Sequence, residues 1–245
     1  VNPSWLKIDW PAPPGVRVLS SFRSGGASAP PYDSLNLGGH VGDDPRAVAE
    51  NRRQLQLAAG LPAEPAWLEQ VHGVNVADLD STGPYGPADA AVTRRFGRVC
   101  AILTADCLPI VFASDSGDTI AAAHAGWRGL NAGVIGATVQ AMGVAPQRLV
   151  VWLGPAIGPQ HFEVGAEVRE AFLKVDSGDI DAFERNARGR FMADLAMLAR
   201  RQLGRLGITR IHGAGECNYT RAERYFSHRR DGITGRQGTF IWREP

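Results

Sequence analysis

Residues 99–126, VCAILTADCLPIVFASDSGDTIAAAHAG, decide how the rest of the chain is read. Val99–Thr104 and 109–113 are short, apolar and rich in β-branched residues, which predicts buried strands, and 119–123 follows in the same style. Working outward, Ala90–Thr93 and, more weakly, 66–71 and 74–79 read as further strands, as do 16–22 and Leu149–Leu153. Helices belong outside this cluster. Asp44 as N-cap and Pro at the first helical position predict a helix over Pro45–Ala59 that stops at Gly60 and buries Val48, Leu55 and Ala59. Residues 129–142 predict a second helix with small, close-packing side chains. Residues 191–206 predict a third, with Phe191, Leu195, Leu198 and Leu206 on one face and Arg200 opposite. Residues 24–44 carry Gly, Pro, Asn and Asp throughout and predict loop. Strands in the middle and helices outside give an α+β class rather than a regular βαβ alternation. With no shift in composition along the chain, 1–245 reads as a single domain.

Composition excludes several functions. The chain has 245 residues, with Lys+Arg 26 against Asp+Glu 25 and a net charge of +1. That balance argues against nucleic acid or an anionic membrane as partner. Three cysteines in a chain of this size do not make a secreted disulfide framework. Six histidines fall short of the about ten imidazoles a multicopper cluster needs. The longest apolar run, 99–113, is interrupted by Thr104, Asp106 and Pro109 and is shorter than the roughly 20 residues that span a bilayer. The opening VNPSWLKIDWPAPPG has no charged region leading into an apolar one, so the expected location is cytoplasmic. Only Lys7 and Lys174 are lysines. GC-rich coding explains that bias and lowers the weight of any single arginine.

Three segments set metal-ligand side chains beside glycines and turns: EQVHG around His72, TADCLPI around Cys107 and HAGWRGL around His124. Each ligand falls at or near a predicted strand end, where three side chains can converge on one sheet edge. Imidazole, imidazole and thiolate suit zinc, and three protein ligands leave a fourth position open for chemistry. The same residues also permit a metal-free reading, in which Cys107 is a thiolate nucleophile and His72 or His124 its base. That reading leaves one of the three unexplained. Arginines recur in glycine-bearing loops at Arg23, Arg128 and Arg229, and guanidinium recognises phosphate through its planar fork. The turn at 126–129, at a predicted helix start, adds free N–H groups. Cys100 and Cys217 read as buried thiols.

Together these motifs resemble the bacterial YfiH-like family, also described as laccase-domain proteins, peptidoglycan editing factors and purine nucleoside phosphorylases. The resemblance runs over nearly the whole chain. It rests on FRSGGAS, SLNLGGHVGDD, Asn51-Arg52, EQVHG, DAAVT, TADCLPI, HAGWRGL, GPAIGP before Phe162-Glu163-Val164-Gly165, and FSHRRDGITGRQG. It implies a mixed β-sandwich surrounded by helices. It implies a metal on His72, Cys107 and His124, usually zinc, with copper as the alternative. It also implies phosphorolysis of adenosine, inosine and S-methyl-5'-thioadenosine, with adenosine deamination as a side activity, in a monomer or homodimer. Phosphorolysis needs phosphate beside ribose C1′ and stabilisation of the departing base. Arg23, Arg128 and Arg229 are the expected phosphate contacts, and Asn36 the expected contact to a ribose hydroxyl or base edge. The proton carrier for deamination is open among Glu69, Asp106 and Glu163. Two other activities compete: an amidase, metal- or Cys-dependent, that edits a wrong amino acid on a peptidoglycan precursor, and a copper polyphenol oxidase, against which the histidine count speaks. A non-enzymatic binding module is the last reading, disfavoured by the open ligand position.

Overall fold

Alternation along the strands builds the layers. In β5 (Val99–Thr104), Val99, Ala101 and Leu103 belong to one buried cluster, while Cys100 and Ile102 belong to another. In β7 (Ile120–Ala125), Ile120 and Ala122 join the cluster of Cys100 and Ile102, and Ala121, Ala123 and Ala125 face away into a third. Successive side chains point to opposite sheet faces, so these memberships stack two sheets face to face with an apolar layer on each outer side.

The computed structural model describes residues 3–82 and 84–245. One sheet is antiparallel and four-stranded, in the order β1 (Trp5–Leu6), β2 (Val16–Ser21), β13 (Gln237–Arg243), β5. The other is mixed and six-stranded, in the order β12 (Arg210–Gly213), β8 (Leu149–Leu153), β6 (Leu108–Ser114), β7, β4 (Ala90–Thr93), β3 (Val76–Asp78). Helix α1 (Pro45–Ala59) covers the first sheet through Val48 and Leu55. Helices α2 (Trp127–Ala132), α3 (Val134–Met142), α4 (Ala166–Val175) and α5 (Leu195–Arg205) lie on the far face of the second. A small sheet of β9 (Glu163–Val164), β10 (Phe183–Arg185) and β11 (Phe191–Ala193) flanks them. The short α6 (His228–Asp231) precedes β13. The result is an α+β mixed sandwich surrounded by helices.

Several expectations match the elements closely. Helix α1 starts at Pro45, with the Asp44 side chain accepting from the Arg46 N–H, and ends at Gly60 in the left-handed conformation. Ala59 is only partly buried, and Asn51 takes the third inward position. Four expectations change. Residues 66–71 form no strand; a single bridge links Ala66 to Cys100. The strand expected at 74–79 shrinks to β3. The helix expected at 129–142 starts at Trp127 and breaks at Gly133, where φ is +99°. The helix expected from Phe191 starts at Leu195, because Asp194 caps it by accepting from the Met197 N–H, and Phe191 pairs with Val164 and Arg185 in the small sheet. Strand β13 was not expected, although QGTFIWR is a strand-like run; it joins β2 to β5 and carries the first sheet.

Candidate metal centre

The ligand-bearing residues sit at one end of the sandwich. His124 is the penultimate residue of β7 and has the parity of Ile120 and Ala122, so its side chain lies between the sheets. Cys107 precedes β6, after Asp106, whose φ of +95° turns the chain sharply from β5 into β6. His72 is not at a strand end as expected. It lies in a loop with φ +60°, and the loop is pinned in two ways. The Gln70 amide donates to the Leu103 carbonyl at 2.9 Å and accepts from the Leu103 N–H at 2.8 Å. The Asp89 carboxylate accepts the N–H groups of Val71 (3.1 Å), His72 (2.9 Å) and Gly73 (2.6 Å).

One ligand atom from each of His72, Cys107 and His124 lies within 4.8 Å of the other two, and this is the one such cluster of three or more metal-ligating groups among the described residues. Cys107 Sγ is 3.9 Å from His72 Nε2, and the imidazole rings are 4.7 Å apart, edge to face. The backbone must come close here. A Cβ on Gly126 would lie 2.8 Å from Cys107 Sγ and 2.9 Å from His72 Cδ2, and one on Gly129 would lie 2.9 Å from the Gly73 carbonyl. Both glycines of HAGWRGL are therefore spatial requirements of the cluster.

Asp89, fully buried just before β4, was not singled out as a site residue from sequence. Its signal was a lone carboxylate leading into the apolar run Ala90-Ala91-Val92. Besides holding the His72 loop, its Oδ1 is 2.8 Å from His124 Nδ1. That contact fixes the His124 tautomer, with Nδ1–H donating to Asp89 and Nε2 free to ligate. Burial works against the Asp89 carboxylate, but His124 and the Gly73 and Val71 N–H groups hold it below the usual range. Burial likewise opposes ionisation of Cys107, yet His124 and His72 bring its thiol down to about 6. Burial also opposes the His124 imidazolium, but the Cys107 thiolate and Asp89 raise it to about 9. A thiolate and two imidazoles with a carboxylate behind one of them form a donor set suited to a borderline-soft divalent ion.

The expected substrate contacts separate into two pairs. Arg23 spends its guanidinium on the Asp33 carbonyl (3.0 Å), the Ala222 carbonyl (3.2 Å) and the Asp33 carboxylate (3.6 Å). Asn36 is fully buried; its Oδ1 accepts from the Gly38 and Arg236 N–H groups and its Nδ2 donates to Asp43 and the Gly38 carbonyl. Both residues thus brace the 24–44 loop. Arg128 is exposed and lies over the Trp127 ring, with no hydrogen bond or ion pair among the described residues. Arg229 donates its backbone N–H to Asp106 Oδ2 at 2.6 Å and Nη1 to the Glu163 carbonyl. The Glu163 carboxylate is taken by Asn186, Arg188 and Arg190. Asp106 keeps Oδ1 buried without a partner, and burial raises its carboxyl. Among the thiols, Cys100 is buried with its ionisation strongly suppressed. Cys217 is only partly buried and accepts from the Gly158 N–H.

No helix among the described residues is long and apolar enough to cross a membrane. The family model described as multi-copper polyphenol oxidoreductase laccase matches residues 17–244. The chain is 52% identical to purine nucleoside phosphorylase YfiH of Escherichia coli, over 95% of this chain and 96% of that one. It is also 52% identical to a Pseudomonas aeruginosa protein named purine nucleoside phosphorylase, over 98% of each. Among solved structures it resembles a Neisseria meningitidis protein of family DUF152, with a TM-score of 0.94, 44% identity and coverage of 98% of this chain and 99% of that one. It also resembles YlmD of Geobacillus stearothermophilus, with a TM-score of 0.90, 31% identity and coverage of 98% and 96%. On whole-chain sequence and fold alike, this protein belongs to the YfiH-like, laccase-domain family.

Proposed function

We propose that the protein is a zinc-dependent purine nucleoside phosphorylase acting on adenosine, inosine and S-methyl-5'-thioadenosine, with deamination of adenosine as a side activity. The observation that carries the reading is the His72–Cys107–His124 cluster braced by Asp89, in a family whose curated relatives bear the phosphorylase name. His72, Cys107 and His124 would hold the metal, which supplies Lewis-acid polarisation of a substrate atom at the open position. Asp89 keeps His124 oriented, so the ligand geometry does not have to be assembled on each encounter.

The residues around the cluster suit the rest of the reaction. Arg128 and Arg229 keep guanidinium edges free beside it, which suits an anionic co-substrate. Asp106 adjoins Cys107, has an unpartnered oxygen and is held toward its protonated form by burial. It is the side chain best suited to give a proton to the departing purine or to the leaving amine. The test is product analysis with zinc-loaded protein. Adenosine should yield adenine and ribose 1-phosphate only when phosphate is present, with a slower release of inosine that does not need phosphate. Absence of base release, or base release indifferent to phosphate, contradicts the reading.

One observation favours a second reading. Cys107, His124 and Asp89 form a thiol–imidazole–carboxylate chain of the kind that activates a nucleophile in amidases. Such an enzyme would survive chelation and lose activity on alkylation of Cys107. The phosphorylase would lose activity on chelation and recover it with zinc.

A further inference from the structure

One charged side chain that couples to Cys107 and has no carboxylate partner among the described residues was not singled out by sequence reading. Arg236 immediately precedes β13, whose Gln237 pairs with Thr104 of β5. It therefore lies level with the turn that leads into Cys107. Its aliphatic stem lies on Gly38, where a Cβ would come within 2.8 Å of its Cγ. Its backbone is fixed by Asn36, which accepts the Arg236 N–H at 2.9 Å, and by the Leu37 N–H, which donates to the Arg236 carbonyl at 3.0 Å. Nη1 donates to the carbonyls of Thr234 and Gly235. Nε and Nη2, the side-on edge of the guanidinium, have no protein partner among the described residues, and no carboxylate comes within ion-pairing distance.

The surroundings repeat the pattern. Arg52 donates to the Leu37 carbonyl and stacks on Trp67, and its Nη2 lies 3.8 Å from where a Cβ on Gly39 would stand. His40 follows on the same Gly38-Gly39 turn. Burial and the positive charges of Arg236, Arg52, His124 and His72 press the His40 imidazole below its ordinary value. Burial also depresses the Arg236 guanidinium, with Cys107 and Asp106 only partly offsetting it. A partly buried cation held by carbonyls alone, next to a second one, lacks an anion. Arg205, by contrast, meets that need with the buried Asp179.

We propose that Arg236, flanked by Arg52 and His40, is an oxyanion-binding residue of the site and receives inorganic phosphate on its Nε–Nη2 edge. The inference rests on the phosphorylase reading for its place in the reaction, but the anion site itself does not. A two-point guanidinium–oxyanion contact fixes the orientation of the phosphate as well as holding it. Arg236→Met keeps the stem on Gly38, and Arg236→Lys keeps the charge without the fork. In zinc-loaded protein, Arg236→Met should raise the KM for phosphate by about tenfold or more and leave the KM for adenosine within about twofold. Arg236→Lys should fall between it and the wild type. An unchanged phosphate KM, or a parallel rise in both KM values, overturns the assignment. Calorimetric titration of zinc-loaded protein with inorganic phosphate alone decides the matter if no phosphorolysis occurs. Weakening of about tenfold by Arg236→Met supports the site, and equal affinity overturns it, independently of the reaction.

Discussion

The two ends of β6 handle arginine in opposite ways. At the Ser114 end, Asp115 pairs with Arg148 at 2.9 Å and approaches Arg210 at 3.8 Å, and Ser114 donates to Asp118. Each cation there has a carboxylate. At the Leu108 end, beside Cys107, the guanidiniums of Arg52, Arg128, Arg229 and Arg236 have carbonyls, aromatic rings or nothing, and no carboxylate at ion-pair distance among the described residues. Asp89, the acid behind His124, is spent on three N–H groups and His124. One end is electrostatically closed and contributes modestly to stability; the other is left open to anions, beside a donor set suited to a metal. In an Arg-rich chain, these four arginines stand apart by what they lack.

The largest effect should come from crowding the open end. Gly126→Ala places a Cβ inside contact distance of both Cys107 Sγ and His72 Cδ2, and should abolish stoichiometric zinc retention after dialysis while far-ultraviolet circular dichroism stays unchanged. Gly136→Ala, with nothing within 4 Å of its added Cβ, should retain zinc fully. Next comes Asp89→Asn, which disturbs the His124 tautomer and the His72 loop together. Zinc affinity in competition with a chelator should fall about 10–100-fold.

Acid probes the same end more gently. With Cys107 near 6 and His124 near 9, the zinc-free pair holds one competing proton, on His124, between those values, and a second, on Cys107, below about 6. Metal binding needs both off. Zinc affinity should therefore fall by about one decade per pH unit between 9 and 6 and more steeply below 6. A titration with a chromophoric chelator reads both slopes. The smallest effect belongs to the closed end. Arg148→Met removes an exposed pair and should move the melting temperature by no more than about two degrees, with zinc content and turnover unchanged.

What the sequence made legible follows from how local each signal is. The bounds of α1 are written in Asp44, Pro45 and Gly60, which act within one turn. The strands Ala90–Thr93, Val99–Thr104 and Leu149–Leu153 are continuous apolar runs whose burial needs no partner to be inferred. Phe191 misled because its spacing to Leu195 and Leu198 is helical, while one short-range contact, Asp194 to the Met197 N–H, starts the helix later. His72, Cys107 and His124 were legible as residue types and by resemblance. Their proximity depends on Gln70, Asp89 and Gly126, acting from elements far apart in the chain. Asp89 and Arg236 stayed hidden for the same reason: the role of each is set by partners 16 to 35 residues away for Asp89 and 200 away for Arg236.

The proposed chemistry depends on one metal held by His72, Cys107 and His124. X-ray absorption at the zinc edge of the loaded wild-type protein tests it most directly. The predicted coordination is one sulfur at about 2.3 Å and two imidazole nitrogens at about 2.0–2.1 Å, with any remaining ligand light. A shell without sulfur, or with more than one, would contradict it.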